Sequence, residues 1–142
     1  VIVEFNRRLA QETESKLLNL AVLTGGVERA LAEPERLRYW VAEAGEPSAV
    51  VAQAAVTREW SDWRNGWVWW FQSVYVAAEW RGRGLFRALH EQIRSEARAE
   101  TDVIGLRLYV EEENLTAKRT YESLGMKASG YLVYEDLWLP SS

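Results

Sequence analysis

Val74-Tyr75-Val76-Ala77-Ala78-Glu79-Trp80-Arg81-Gly82-Arg83-Gly84-Leu85-Phe86-Arg87-Ala88-Leu89 is the stretch from which the rest of the chain can be read. Strand-like residues run into Arg-Gly-Arg-Gly, and beyond it Leu85, Leu89, Ile93 and Ala97 recur every fourth position, with Arg87, Glu91, Arg94 and Arg98 on the other side. That spacing predicts a helix that opens directly after Gly82 and Gly84. A glycine-rich turn at a helix N-terminus gathers unpaired N–H groups and the positive end of the helix dipole around one point, and glycine lets an anion approach the backbone. In outline this is a pyrophosphate cradle. Taken alone, the same residues also read as a surface turn or a basic contact patch. The turn is not a Walker A loop, which needs G-K-[ST], nor a dinucleotide G-x-G-x-x-G, because position 87 is Arg.

Upstream, Trp67 to Val76 reads as a long strand, preceded by the turn-rich Trp60 to Gly66. Leu37 to Ala44 and Ala49 to Thr57, separated by Gly45-Glu46-Pro47, read as an antiparallel hairpin. Ile2, Phe5, Leu9, Leu17 and Leu20 recur at near-helical spacing, so residues 2 to about 22 are expected to form one amphipathic helix stopped by Thr24-Gly25-Gly26, with Val27 to Ala32 a short second helix. Downstream, Ile104 to Val110 alternates as a strand, Leu115 to Leu124 forms a helix stopped by Gly125, and Tyr131 to Leu137 is expected as a closing strand. The order predicts an α/β (α+β) fold, a mixed sheet with helices packed against it.

The chain has 142 residues, 48% hydrophobic and 27% charged, which is one domain's worth of an ordinary globular composition, so residues 1–142 are expected to form a single domain. No cysteine and a single histidine, His90, exclude disulfides, thiolate catalysis and multi-histidine metal sites, and no metal is expected. A net charge of −4 argues against a nucleic-acid partner, while the excess of Arg over Lys leaves room for a local anion site. With no long apolar run and no leader-like N-terminus, no membrane association is expected, and a cytoplasmic location is the default. Eight Trp, five of them between Trp60 and Trp70, call for an explanation.

The second chemical element is Asn114-Leu115-Thr116-Ala117-Lys118-Arg119-Thr120-Tyr121, just after the Ile104 strand. Read alone, Asn114 caps a helix and Tyr121 packs its ring. Taken with the first element, the chain resembles the GNAT superfamily of N-acetyltransferases. The shared pattern is a strand, then R-x-x-G-x-[GA] opening a helix (Arg81 to Phe86), then a strand, then N-x-x-A-x-x-x-Y followed by L-G-[FM] (Asn114, Ala117, Tyr121, Leu124-Gly125-Met126). Phe86 departs from the usual Gly or Ala and is expected to narrow the cradle. Members of the family also begin with a strand ahead of the first helix, so the resemblance implies a mostly antiparallel sheet whose first strand is missing from this chain, leaving Leu37 to Ala44 with an unpaired edge.

The resemblance implies acetyl-CoA as cosubstrate. Backbone groups of Val74, Tyr75 and Val76 would pair with the pantetheine arm, the amides of Arg81, Gly82, Arg83, Gly84, Leu85 and Phe86 would hold the pyrophosphate, and Asn114 and Ala117 would lie along the arm. Tyr121 would place its hydroxyl near the cofactor sulfur, to stabilise or protonate the departing thiolate. Some relatives, including the spermidine/spermine N-acetyltransferases to which the chain is loosely similar, carry a carboxylate on the strand entering the cofactor site. Here Gln72 and Ser73 stand there; neither is a base, though both can order water, and Gln72 is expected to border the acceptor.

Glu59 and Asp62 lie in the loop that in this architecture overhangs the acceptor cleft. An acceptor role and a structural one, with Asp62 capping its turn and pairing with Arg64, are equally open. Trp67 and Trp69 read as packing. Trp60 and Trp63 read as pocket walls, since indole faces beside carboxylates suit a cationic amine. Glu111-Glu112-Glu113 reads as a solvated face rather than a metal site, and His90 as a half-buried packing residue. The expectation is an enzyme that transfers acetyl to a small, cationic primary amine by direct transfer in a ternary complex. The alternatives are a protein or peptide acceptor, or a non-catalytic CoA-binding module. A homodimer fits the resembled family.

Overall fold

In the computed structural model, which describes residues 1–138, helix α1 (Ile2–Glu14) ends well before the apolar spacing predicts. Ser15 turns left-handed at φ 53°, and the Lys16 N–H reaches back to the Ala10 carbonyl at 3.1 Å, a closure that satisfies the last carbonyls of the helix. Asn19 then starts α2 (Leu20–Ala32), its side chain accepting from the Val22 N–H at 3.1 Å. Thr24-Gly25-Gly26, expected as a stop, therefore lies inside α2, and Val27 to Ala32 is its second half. Two interior glycines lower helix propensity by about 1 kcal/mol each, but the Asn19 cap and the burial of Val27 and Ala30 carry the helix through them.

Strands β1 (Arg38–Ala44), β2 (Ala49–Ser61) and β3 (Gly66–Val76) form an antiparallel meander, and β4 (Val103–Leu108) joins β3 in parallel to give the order β1-β2-β3-β4. Strand β2 runs to Ser61, which faces Gly66, so the expected loop from Trp60 shrinks to residues 62–65. Strand β1 is an edge of this sheet, as expected.

Helix α3 (Leu85–Ala99) lays Leu89, Ile93 and Ala97 on Ala52, Ala54 and Val56 of β2 and on Trp69 and Phe71 of β3. The alanines on β2 keep the surface low enough for the helix to approach. Ile93 is 0% and Trp69 2% exposed, and each such side chain contributes roughly 1.5–3 kcal/mol through burial. Glu96 ties α3 to the edge strand, accepting from Trp40 Nε1 at 2.7 Å and pairing with Arg38 at 3.0 Å. Because side chains alternate along β3, Val74 and Val76 join the α3 side, whereas Tyr75 faces the opposite side and packs on Phe5 of α1. The tryptophan density is explained largely by packing: Trp69 is in the core, Trp40 lies 5.8 Å from it between ring centroids, and Trp67 carries Trp60 edge-on at 5.1 Å.

These elements make up one compact unit, Val1–Leu108; the rest of the chain, from Tyr109, makes up a second. In the second unit α4 (Leu115–Ser123) forms where expected. The closing strand expected at Tyr131 to Leu137 does not: these residues hold no strand, and Tyr131, Leu132, Val133, Tyr134 and Leu137 are exposed. Alternation supplies only a propensity, and a strand exists only where another pairs with its backbone. Among the described residues no helix is long and apolar enough to cross a membrane.

Candidate active site

Strands β3 and β4 pair from Trp67↔Val103 to Phe71↔Leu108 and then part. Strand β3 continues five residues further, to Val76, with β2 on one side only. The register jumps from Val56↔Phe71 to Ala55↔Ser73, so Gln72 forms a bulge where the strands separate. The Gln72 amide is held by its own sheet, donating to Thr57 Oγ1 at 2.9 Å.

Backbone directions follow from one hydrogen bond. The Ala77 N–H donates to the Val51 carbonyl at 2.8 Å, so it points towards β2. Groups along an extended strand alternate sides; Tyr75 therefore also faces β2, while Val74 and Val76 face the gap left by β4. Of the three residues expected to receive the pantetheine arm, Val74 and Val76 present their backbone to the gap and Tyr75 does not. The Val76 carbonyl is already taken, accepting from Arg81 Nε at 2.9 Å. Among the described residues, this leaves the Val74 N–H and carbonyl and the Val76 N–H for a bound chain.

Past Val76, a single turn of 3-10 helix, Ala78–Trp80, leads into Arg81-Gly82-Arg83-Gly84. Gly82 and Gly84 have φ of +77° and +78°, the left-handed region in which L side chains are strained, and all four residues are exposed. Gly84 caps α3 without a side chain, no acid sits in the first helical turn, and the first helical bond is Ala88 N–H to Gly84 carbonyl. The N–H groups of Leu85, Phe86 and Arg87 thus precede the helical ladder, the arrangement that suits an anion. The Phe86 ring packs against His90 at 6.3 Å between centroids. Arg83 lies 4.6 Å over the Trp80 ring and has no carboxylate partner among the described residues. Arg81, by contrast, is bound to Glu12 at 2.9 Å. His90 is 4% exposed, more buried than expected, and burial, with Arg94 nearby, pushes its imidazole below the usual value.

In the second unit, Asn114 caps α4, its Oδ1 accepting from the Ala117 N–H at 3.0 Å. The cap uses the oxygen and leaves the Nδ2 protons, the half of the amide able to donate to a ligand carbonyl. Tyr121 is half-buried on α4, and burial raises its phenol above the usual value, so the hydroxyl keeps its proton at neutral pH.

Of the residues expected to receive the acceptor, Gln72 stands where the strands part, whereas Asp62 and Trp63 lie at the other end of the hairpin. Glu59 and Trp60 lie in β2, on opposite faces, and only Asp62 and Trp63 are in the turn. Glu59 is paired with Arg107 at 3.0 Å, Asp62 accepts from the Trp63 N–H at 2.9 Å, and Trp63 is 88% exposed. This turn joins β2 to the start of β3, six residues before the Gln72 bulge, or about 20 Å at ~3.3 Å per residue. The loop closes the other end of the hairpin because Ser61 pairs with Gly66. Arg64 meets Ser61 Oγ rather than Asp62. Sequence reading missed Glu12. Its signal was a carboxylate at the third position of the Phe5, Leu9, Glu12 stripe, on the helix face that packs inward.

Residues 6–126, which span both units, match the model of the Acetyltransferase (GNAT) family. The crystal structure of a possible acetyltransferase from Clostridium difficile 630 is similar at 43% identity over 98% of this chain and 90% of that one, with a TM-score of 0.86. Glucosamine-6-phosphate N-acetyltransferase from Arabidopsis thaliana shares the fold at 20% identity, covering 94% and 87% of the two chains, with a TM-score of 0.70. An integron cassette protein from the Cole Harbour Salt Marsh metagenome does so at 19% identity over 98% and 84%, with a TM-score of 0.81. No curated protein matches the chain. A family match over most of its length, together with a mixed sheet whose parallel pair parts beside a glycine-rich helix start, establishes that the chain belongs to the GNAT family of acetyltransferases.

Proposed function

We propose that the protein transfers the acetyl group of acetyl-CoA to the primary amine of a small molecule. The carrying observation is the parting of β3 from β4 beside an uncapped helix N-terminus, a slot with strand-like hydrogen-bonding groups at one end and anion-binding amides at the other. A linear amide-bearing arm ending in a pyrophosphate has both chemistries in that order. Acetyl-CoA supplies an acetyl group activated as a thioester.

Val74 and Val76 orient the arm through the N–H and carbonyl groups that face the gap, and the amides of Gly82 to Phe86 hold the phosphates. A strand N–H at the parting donates to the thioester carbonyl as negative charge develops there. Tyr121, protonated at neutral pH, gives its proton to the departing sulfur. Gln72 and Ser73 carry no base, so the amine loses its proton to water ordered beside them or to solvent, and the rate rises with pH towards the amine's own pKa, about 10.4 for an alkylammonium.

The cationic-acceptor reading keeps less support, since Arg107 already neutralises Glu59 and the tryptophan-bearing turn lies at the other end of the hairpin. A screen of polyamines, aminoglycosides, amino acids, amino sugars and peptides, read as acceptor-dependent release of free CoA thiol, tests the proposal. Turnover of one small amine supports it. Turnover of peptides alone moves the acceptor to a protein, and binding of acetyl-CoA without turnover of any acceptor refutes catalysis.

A further inference from the structure

We infer that Glu12 is a positioning residue for donor binding: it holds Arg81 as a strut that fixes the turn from Val76 to Gly84, and so leaves Arg83 as the arginine of that turn able to meet phosphate. The inference rests on the cofactor site proposed above. Its basis is a closed set of contacts within the first unit. Glu12 Oε1 accepts from Arg81 Nη2 at 2.9 Å, and Glu12 Oε2 accepts from the Tyr75 hydroxyl at 2.5 Å. Arg81 Nε donates to the Val76 carbonyl at 2.9 Å, and its guanidinium lies 5.4 Å from the centre of the Tyr75 ring.

Arg81 is therefore engaged on three sides. One carboxylate at the end of α1 fastens both the side chain of Tyr75, whose neighbours Val74 and Val76 face the gap, and the first residue of the glycine-rich turn. Gly82 and Gly84 carry no side chains to brace that turn, and both adopt left-handed φ, so its shape depends on what anchors its ends. Gly84 is anchored by α3. Arg81 is anchored by Glu12 and the Val76 carbonyl. The Tyr75 hydroxyl and the Arg81 guanidinium hold Glu12 below the usual carboxylate range, so the strut stays charged at neutral pH. Among the described residues, the contact that Arg83 makes is with the Trp80 ring.

The sign of one substitution separates positioning from the alternative, in which Arg81 binds phosphate directly. If Arg81 touched phosphate, Glu12→Gln would free the arginine and remove a negative charge, and acetyl-CoA would bind more tightly. If Glu12 positions the turn, the same substitution weakens binding, by about fivefold for a half-exposed charged contact worth about 1 kcal/mol. The experiment is calorimetry with acetyl-CoA on the wild type, Glu12→Gln, Arg81→Gln and the double variant, with Arg81→Lys and Arg83→Gln as companions and the unfolding midpoint of each measured.

The expected results are similar losses in the two single variants, a double variant no weaker than Arg81→Gln, and no rescue by Arg81→Lys, because an ammonium cannot hold the Val76 carbonyl and Glu12 in the same fork. Arg83→Gln should multiply with Glu12→Gln, and with a working acceptor Glu12→Gln should raise the acetyl-CoA KM while leaving kcat in place. Tighter or unchanged binding in Glu12→Gln at an unchanged unfolding midpoint, or full activity in Arg81→Lys, overturns the inference while the cofactor site stands. Failure of the wild type to bind acetyl-CoA overturns the site and the inference together.

Discussion

Replacing Gly84 by Asp and, separately, by Asn isolates the electrostatics of the proposed phosphate site. Gly84 has φ of +78°, and a Cβ built there meets nothing within 4 Å, so the first atom of either side chain has room. Both pay the same backbone strain, roughly 1–2 kcal/mol for an L residue in the left-handed region, which Asn and Asp tolerate better than most. The two side chains have nearly the same shape, so the difference between them is one negative charge at the start of α3. Two unit charges 4 Å apart interact by about 1 kcal/mol in a water-like medium, the appropriate limit for an exposed turn. Against the two charges of a pyrophosphate this comes to about 2 kcal/mol, or roughly 30-fold in affinity at 1.4 kcal/mol per tenfold. Calorimetry with acetyl-CoA at low salt should therefore place Gly84→Asp about 30-fold below Gly84→Asn. The gap should narrow in 1 M salt, where the Debye length falls to about 3 Å. Equal affinities for Asp and Asn at low salt, in folded proteins, would refute the reasoning and move the phosphates away from this turn.

Tyr121→Phe should lower kcat by on the order of 10² with the acetyl-CoA KM nearly unchanged, since the hydroxyl acts as charge develops on sulfur; steady-state kinetics with a validated acceptor checks it, and wild-type turnover would reduce Tyr121 to a packing aromatic. Gly66→Ala should destabilise by roughly 1–3 kcal/mol in urea unfolding, because the new Cβ would lie 2.4 Å from Ile104 Cγ2 and 3.0 Å from the Asp102 carbonyl, and a β-branched chain on the neighbouring strand has little room to yield. His90, depressed below 6.5 by burial, binds its proton less readily in the folded chain than in the unfolded one. Its contribution to stability is therefore complete above pH 6.5 and is lost as the pH falls through the folded value, so unfolding midpoints should drop on acidification in the wild type and drop less in His90→Gln.

Most of the fold was readable where local chemistry and burial agree. The four-residue repeat of Leu85, Leu89, Ile93 and Ala97 marks α3 because the same stripe that favours a helix is the stripe that packs on the sheet. The hairpin around Gly45-Glu46-Pro47 and the Asn114 cap were legible for the same reason: turn and cap residues act over three or four positions. Reading failed where a partner distant in sequence makes the choice. Tyr131 to Leu137 alternates like a strand but is paired with none. Reading failed as well where one local signal outweighed another: residues 2–22 show one apolar period, but the closure at Ser15 and the cap at Asn19, each acting over a few positions, divide them into separate helices.

The site divides along the same line. Arg81-Gly82-Arg83-Gly84 announces anion binding by itself, because glycine and a helix N-terminus are local features. Only the tertiary structure could show that β4 leaves β3 after Phe71, that Val74 and Val76 rather than Tyr75 face the gap, that Glu59 is paired with Arg107 of β4, and that Glu12, 69 residues before Arg81, is bound to that arginine. Strand register and long-range charge pairing depend on which segments meet, and no local propensity carries that information.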